Sequence, residues 1–176
     1  MYKEFMTLFE GLLRAHGTYE IKGERADGKK QGKATTVRED VTPEKWQAHL
    51  DGKTGIGIIP INDDSNCKFG AIDVDQYDGL DIKAINNKLK EYKLPLFPCM
   101  SKSGGVHLYL FTTDWVPAEA MQNKLRDIAA ALGFGGSEIF PKQAYILADR
   151  GDVGQWINMP YFGKERTCNG MDAAKF

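Results

Sequence analysis

Phe69-Gly70-Ala71-Ile72-Asp73-Val74-Asp75 is the stretch whose reading decides the fold. It is a short apolar run that ends in two acids spaced i, i+2. In a strand, side chains alternate between faces, so Ile72 and Val74 point one way and Asp73 and Asp75 the other. The two carboxylates then stand roughly 6–7 Å apart at Cα on one face, a spacing suited to gripping divalent ions. Hard oxygen ligands of this kind favour Mg²⁺ or Mn²⁺, with phosphate oxygens completing the shell.

Downstream, Gln76-Tyr77-Asp78-Gly79 reads as a turn. Asp81 to Tyr92 reads as a helix with Ile82, Ile85 and Leu89 on one face. Leu96 to Met100 is a short strand after Pro95, Ser101 to Gly105 a turn, and Val106 to Phe111 a strand in strict alternation. Pro117 to Leu132 is a second helix that buries Met121, Leu125, Ile128 and Leu132 and stops at Gly133; Ser137 to Phe140 is a strand closed by Pro141. Strand-helix-strand twice over is the split β-α-β arrangement of a ferredoxin-like (RRM-like) sheet in an α+β fold. Right-handed crossovers put the Asp73 strand in the centre, between the His107 and Glu138 strands, with both helices on one face. Ile72, Val74, Val106, Leu108, Leu110 and Ile139 are the apolar set that must meet those helices. Their alternates, Asp73, Asp75, His107, Tyr109 and Glu138, are expected on an open face.

Upstream, Tyr2 to His16 reads as a helix with Phe5, Leu8, Phe9, Leu12 and Leu13 on one stripe, Gly17 as its stop and His16 in its last turn. Residues 22–38 are polar and Gly-rich, a loop or mobile hairpin with six Lys/Arg against two acids, a local +4. Lys29, Lys30 and Lys33 make it a candidate contact for a nucleic-acid template. Thr42-Pro43-Glu44 caps and starts a short helix through Leu50, with His49 on its surface and Trp46 as its core anchor. Gly55 to Ile61 is a strand with Pro60 at its edge or end.

The 176 residues, 42% hydrophobic and 27% charged, fit one soluble domain with its own core. It divides into an N-terminal lobe (1–62), a catalytic lobe (63–163) and a C-terminal tail (164–176). A net charge of −1 argues against a broadly basic nucleic-acid binder. No apolar run is long enough for a membrane span and no signal peptide opens the chain. Cys67, Cys99 and Cys168 are odd in number and far apart, so neither a disulfide nor a zinc site is expected, and a reducing cytoplasm is the default compartment.

Three acids with two metals on such a sheet suit phosphoryl or nucleotidyl transfer. Ser101-Lys102-Ser103-Gly104-Gly105 supplies hydroxyls, a cation and unhindered N–H groups, a candidate phosphate cradle just before His107. His107 can donate to a phosphate, and Lys142 lies where triphosphate charge would be met.

Asp73-Val-Asp75, Ser101-Lys-Ser-Gly-Gly-Val-His107 and Glu138-Ile-Phe-Pro-Lys142-Gln143 together resemble the three motifs of archaeo-eukaryotic-type primases. The likeness is to the bacterial, phage and mobile-element primase-polymerases. Gly55-Ile-Gly-Ile-Ile-Pro60 and Trp156-Ile-Asn-Met-Pro-Tyr-Phe162 resemble flanks of the same group, so the likeness spans roughly residues 40–163. It implies a DNA primase or DNA-directed polymerase core working in replication. Asp73, Asp75 and Glu138 would be ligands to Mg²⁺ or Mn²⁺. His107, Ser101, Ser103, Gly104, Gly105 and Lys142 would bind the incoming nucleotide. The third acid is often Asp in that superfamily; here it is Glu138. No zinc-binding stem is visible. The partners implied are a single-stranded DNA template and primer and (deoxy)nucleoside triphosphates. Such chains often continue into a helicase or priming-accessory domain, and the stop at Phe176 reads as a trimmed core.

Three other readings share a fold or an acid pair. An RNA-recognition module would stack bases on Tyr109 and Phe111 but expects aromatics where Asp73 and Asp75 stand. A replication-initiator nuclease wants His-x-His, whereas the chain offers His107-Leu-Tyr109. A palm-like nucleotidyl cyclase could use the same acids without a template.

Overall fold

The computed structural model describes residues 1–24, 30–75 and 79–176, with the backbone alone at 21, 22, 24, 30 and 31. In chain order the elements are α1 (Tyr2–Leu8), β1 (His16–Glu24), β2 (Lys30–Val37), α2 (Pro43–Leu50), β3 (Ile56–Ile58), β4 (Asn66–Val74), α3 (Ile82–Glu91), β5 (Leu96–Met100), β6 (Val106–Pro117), α4 (Ala118–Leu132), β7 (Glu138–Phe140) and β8 (Ile157–Asn158). They form two four-stranded sheets, ordered β2-β1-β3-β8 and β5-β6-β4-β7. The expected turn at 76–78 lies outside the described residues.

β4 is central in its sheet and antiparallel to both β6 and β7. Its apolar alternates, with Val106, Leu108 and Leu110 of β6, pack on Ile85 and Leu89 of α3 and on Met121, Leu125, Ile128 and Leu132 of α4. α4 comes close because Gly70 has no side chain: a Cβ there would stand 2.7 Å from Leu125, Met121 and the Phe140 carbonyl. Gly133 ends α4 at φ +84°, a left-handed cap that favours glycine.

The opposite face is not open along its length. Phe69, Ala71, Cys99, Tyr109 and Phe140 are buried under Phe5, Phe9, Trp46, Ile56, Ile58 and Ile157, a second core held by edge-to-face aromatic contacts such as Phe9 on Phe69 and on Tyr109. An aromatic stripe on α1 and α2 must be buried somewhere, and this face offers matching apolar residues. At the end that carries the acids Asp75 and Glu138 are exposed, but His107, also expected on an open face, is buried. Tyr109, expected on the open face, has no exposure at all.

Three further expectations are corrected, and the loop-or-hairpin reading of the basic segment resolves to a hairpin. The first helix stops at Leu8. Beyond it Leu12 N–H donates to the Ile59 carbonyl at 2.9 Å, and a Cβ at Gly11 would collide with that carbonyl. His16 therefore opens β1 instead of closing a helix. The basic segment is a β1–β2 hairpin in which Lys33 lies opposite Glu20; Lys29 falls outside the described residues, and Lys30 is described by its backbone alone. His49, in the last turn of α2 and expected on its surface, is fully buried. Finally, Cys99 and Cys168 are joined as a disulfide across 69 residues. Spacing along the chain could not reveal this, because the C-terminal segment runs beside β5, with Met100 N–H donating to the Thr167 carbonyl at 3.1 Å. Among the described residues no helix is long and apolar enough to cross a membrane.

Candidate active site

Strand register assembles the site. Asp73 of β4 lies opposite His107 of β6 on one side and Glu138 of β7 on the other. Directly opposed residues of antiparallel strands have Cβ atoms about 5 Å apart, so the three side chains form one row. Val74 pairs with Val106. Asp75, the residue just after β4, therefore lies at the end of the sheet where the Ser101–Gly105 turn joins β5 to β6.

A cleft of about 400 Å³ opens at this end, lined by Asp73, Asp75, Gly133, Gly136, Ser137 and Glu138. A larger, mostly apolar groove of about 1040 Å³ between α1, Phe111 and Phe176 shares no residue with it and carries none of the row. Of the two, the cleft holds the acids of the row.

Within the row, His107 Nε2 is 3.3 Å from Asp73 Oδ1. That oxygen is buried and has no hydrogen-bond partner. Glu138 Oε2 pairs with Lys142 Nζ at 2.8 Å, so Lys142 is engaged with one of the acids. In the turn, Ser101 N–H donates to the Gly105 carbonyl at 2.9 Å and the Ser101 and Ser103 hydroxyls stand 3.2 Å apart. Ser101 is buried. Lys102 extends the other way and places Nζ over the Tyr19 ring of β1, 2.7 Å from its centroid. The turn thus bridges the two sheets.

Gly105 is required at its place because a Cβ would fall on the Val74 carbonyl. Gly105→Ala is expected to cost about 2 kcal/mol of stability by forcing the turn away from β4. Urea denaturation measures this, and an unchanged midpoint would show that the turn yields freely.

The sequence profile described as the archaeo-eukaryotic primase domain of TOTE conflict systems matches residues 15–171. The chain belongs to this family. The primase-polymerase AEP domain of cyanophage S-2L superposes with a TM-score of 0.51 at 14% identity, covering 94% of this chain and 84% of that one. At that identity the likeness concerns the fold. No curated protein matches the sequence. Relatives in the archaeo-eukaryotic primase family are nucleotidyltransferases of the primase-polymerase kind and are generally metal-dependent.

The donor chemistry of the row fits a hard divalent ion. Its two acids offer carboxylate oxygen beside the imidazole of His107, and the orphaned Asp73 Oδ1 is an acceptor awaiting a positive partner. The side chains as they stand are not gathered: among the described residues no three His, Cys, Asp or Glu groups converge closely enough to hold one ion. Lys142 accounts for part of this, since it occupies Glu138.

The base-stacking alternative loses its platform. Tyr109 is buried, and Phe111 packs among Phe9, Phe97 and Phe176. Two features were missed by sequence reasoning. Trp156 lies across β1 and β3, where a Cβ at Gly17 or Gly57 would strike its ring, and its Nε1–H donates to Thr36 at 3.2 Å. Arg166 has a buried Nε without a partner, and burial lowers its pKa. The two glycines opposite a tryptophan were a signal for the first; nothing in the sequence marked the second.

Proposed function

We propose that this domain is the catalytic core of a primase-polymerase that adds nucleotides, deoxy or ribo, along a single-stranded DNA template. The carrying observation is the Glu138–Asp73–His107 row ending beside the Ser101–Gly105 turn. The strand order, with β4 between β6 and β7, is that of a ferredoxin-like sheet and supports the same reading. We take residues 1–62 as a supporting lobe, 63–163 as the catalytic lobe and 164–176 as a tail.

In the proposed reaction the primer 3′-hydroxyl gives up its hydrogen to solvent and its oxygen bonds to the α-phosphorus of the incoming nucleotide. The bond from that phosphorus to the bridging oxygen breaks, and pyrophosphate leaves. Mg²⁺ or Mn²⁺ held by Asp73, Asp75 and Glu138 would neutralise phosphate charge and lower the pKa of the attacking hydroxyl. Ser101, Ser103 and the backbone N–H groups at Gly104 and Gly105 would cradle the phosphates. His107 would turn Nε2 toward one of them and donate there when both ring nitrogens carry hydrogen, and Lys142, released from Glu138, would meet the remaining negative charge. The family description places such domains in conflict systems, and we propose that setting above chromosomal replication. A helicase or priming-accessory partner is part of the proposal.

The deciding experiment offers labelled nucleotides, Mg²⁺ or Mn²⁺ and single-stranded template, with and without primer. Template-dependent extension is expected. A cyclic mononucleotide as the product would move the assignment to a cyclase, and no product with any template would remove the polymerase reading.

The template path is proposed along the β1–β2 hairpin. If about four phosphates are neutralised there, log affinity should fall with log salt at a slope of roughly −3. Replacing Lys29, Lys30 and Lys33 together with Ala should flatten it by about two units. Fluorescence anisotropy across salt reads this, and an unaltered slope would leave the hairpin as a solvated surface.

A further inference from the structure

We propose that Tyr109, backed by the Asn158 carbonyl, is a positioning residue that fixes the tautomer and the aim of His107; this rests on the nucleotide-facing role given to His107 above. His107 Nδ1 and the Tyr109 hydroxyl are 3.0 Å apart, and that hydroxyl donates to the Asn158 carbonyl at 3.1 Å. A carbonyl oxygen can only accept, so the single phenolic hydrogen is committed to Asn158. The Tyr109 oxygen must then accept from His107, which places a hydrogen on Nδ1. This holds for the neutral and the doubly protonated ring alike.

Nε2 is left as the nitrogen turned toward the site, where it faces Asp73 Oδ1 at 3.3 Å. The lock is rigid because Tyr109 is wholly enclosed, its ring edge-on to Phe9 and to His107 itself. Burial and the neighbouring Asp73 carboxylate push its phenol well above the ordinary value, so it keeps its hydrogen.

Asn158 belongs to β8 of the other sheet, paired with β3. The N-terminal sheet therefore sets the direction of a side chain in the catalytic row. The i, i+2 pair His107-x-Tyr109 on one strand face makes the contact possible, and the covering core makes it dry.

Nitrogen-15 NMR of the His107 ring, followed across pH to the plateau of the neutral ring, tests the lock directly. The wild-type protein is expected to carry its proton on Nδ1; a proton on Nε2 overturns the proposal without need of any variant. In Tyr109→Phe the Nδ1–H preference should give way to the Nε2–H form, and an unchanged ring in the folded variant overturns it too. Nucleotide KM in Tyr109→Phe should rise about 10–100-fold, the scale seen when an orienting partner of a functional histidine is removed, with a smaller change in kcat. Added to His107→Ala, the same substitution should change KM no further. A ring that changes tautomer while KM stays constant would uphold the lock and instead remove His107 from nucleotide binding.

Discussion

Asp73→Asn is expected to lower nucleotide incorporation about a thousandfold or more and to leave the fold standing. The size follows from the charge removed: an anionic ligand to a catalytic ion supplies several kcal/mol to the transition state, and each 1.36 kcal/mol is tenfold in rate. The fold should survive because the apo site gains from the exchange. Asp73 Oδ1 is buried without a donor, and His107 Nε2 faces it from 3.3 Å. With Nδ1 donating to Tyr109, a neutral His107 sets its Nε2 lone pair against a carboxylate. The side-chain amide introduced by the substitution would offer that lone pair a hydrogen instead, worth about 1 kcal/mol. Primer extension and thermal denaturation, run side by side, separate the two effects. A variant that extends primers at near wild-type rate would remove Asp73 from the metal site. A variant that unfolds would make it a structural residue.

The row around Asp73 was legible because strand alternation is a local rule. Once Ile72 and Val74 are assigned to the helices, Asp73 has no other face to occupy, and the crossover rule fixes which strands flank it. The Thr42 cap, Pro43 and the Gly133 stop were legible for the same reason, since each is decided within one turn of chain. What failed was non-local. Leu12 and Leu13 keep a helical period, yet the chain leaves the helix because Gly11 lies against the carbonyl of Ile59, far along the chain. Alternation predicted the faces of β6 correctly but could not show that Phe5, Phe9 and Trp46 would cover one of them. His107 and Tyr109 share a strand face, and only Asn158 of β8, in the other sheet, turns that proximity into a directed hydrogen-bond chain. The cysteines illustrate the same limit: Cys99 and Cys168 meet through the path of the C-terminal segment, which no spacing rule encodes.

His49 should make the fold lose about 3 kcal/mol as the pH falls from 6.5 to about 4. Its ring is committed on both sides in the neutral form. Nε2–H donates to the Pro160 carbonyl at 2.8 Å, and Nδ1 accepts the Ile56 N–H at 3.2 Å. Burial lowers its pKa to about 4; the Pro160 carbonyl works against the shift and the Arg166 charge adds to it. The unfolded chain takes up a proton near 6.5, which the folded chain refuses until about pH 4. Stability contributed by this site is therefore whole above about pH 6.5, falls through the interval and levels off below about 4. His16, also lowered by its burial, pulls in the same direction. A loss of this size is a large share of the roughly 5–15 kcal/mol that holds an ordinary domain together. Urea denaturation of wild type and His49→Gln at several pH values provides the check. The variant should be weaker at neutral pH, because a buried hydrogen-bond pair is disturbed, yet its stability should vary less across the acid interval. Equal pH dependence in the two proteins would assign the acid sensitivity to other groups. Through Pro160 and Ile56 the ring ties α2 to β3 and to the segment that follows β8, so charging it loosens the lobe that supplies the Asn158 carbonyl. Nucleotide KM should therefore begin to rise over the same acid interval in which the fold weakens.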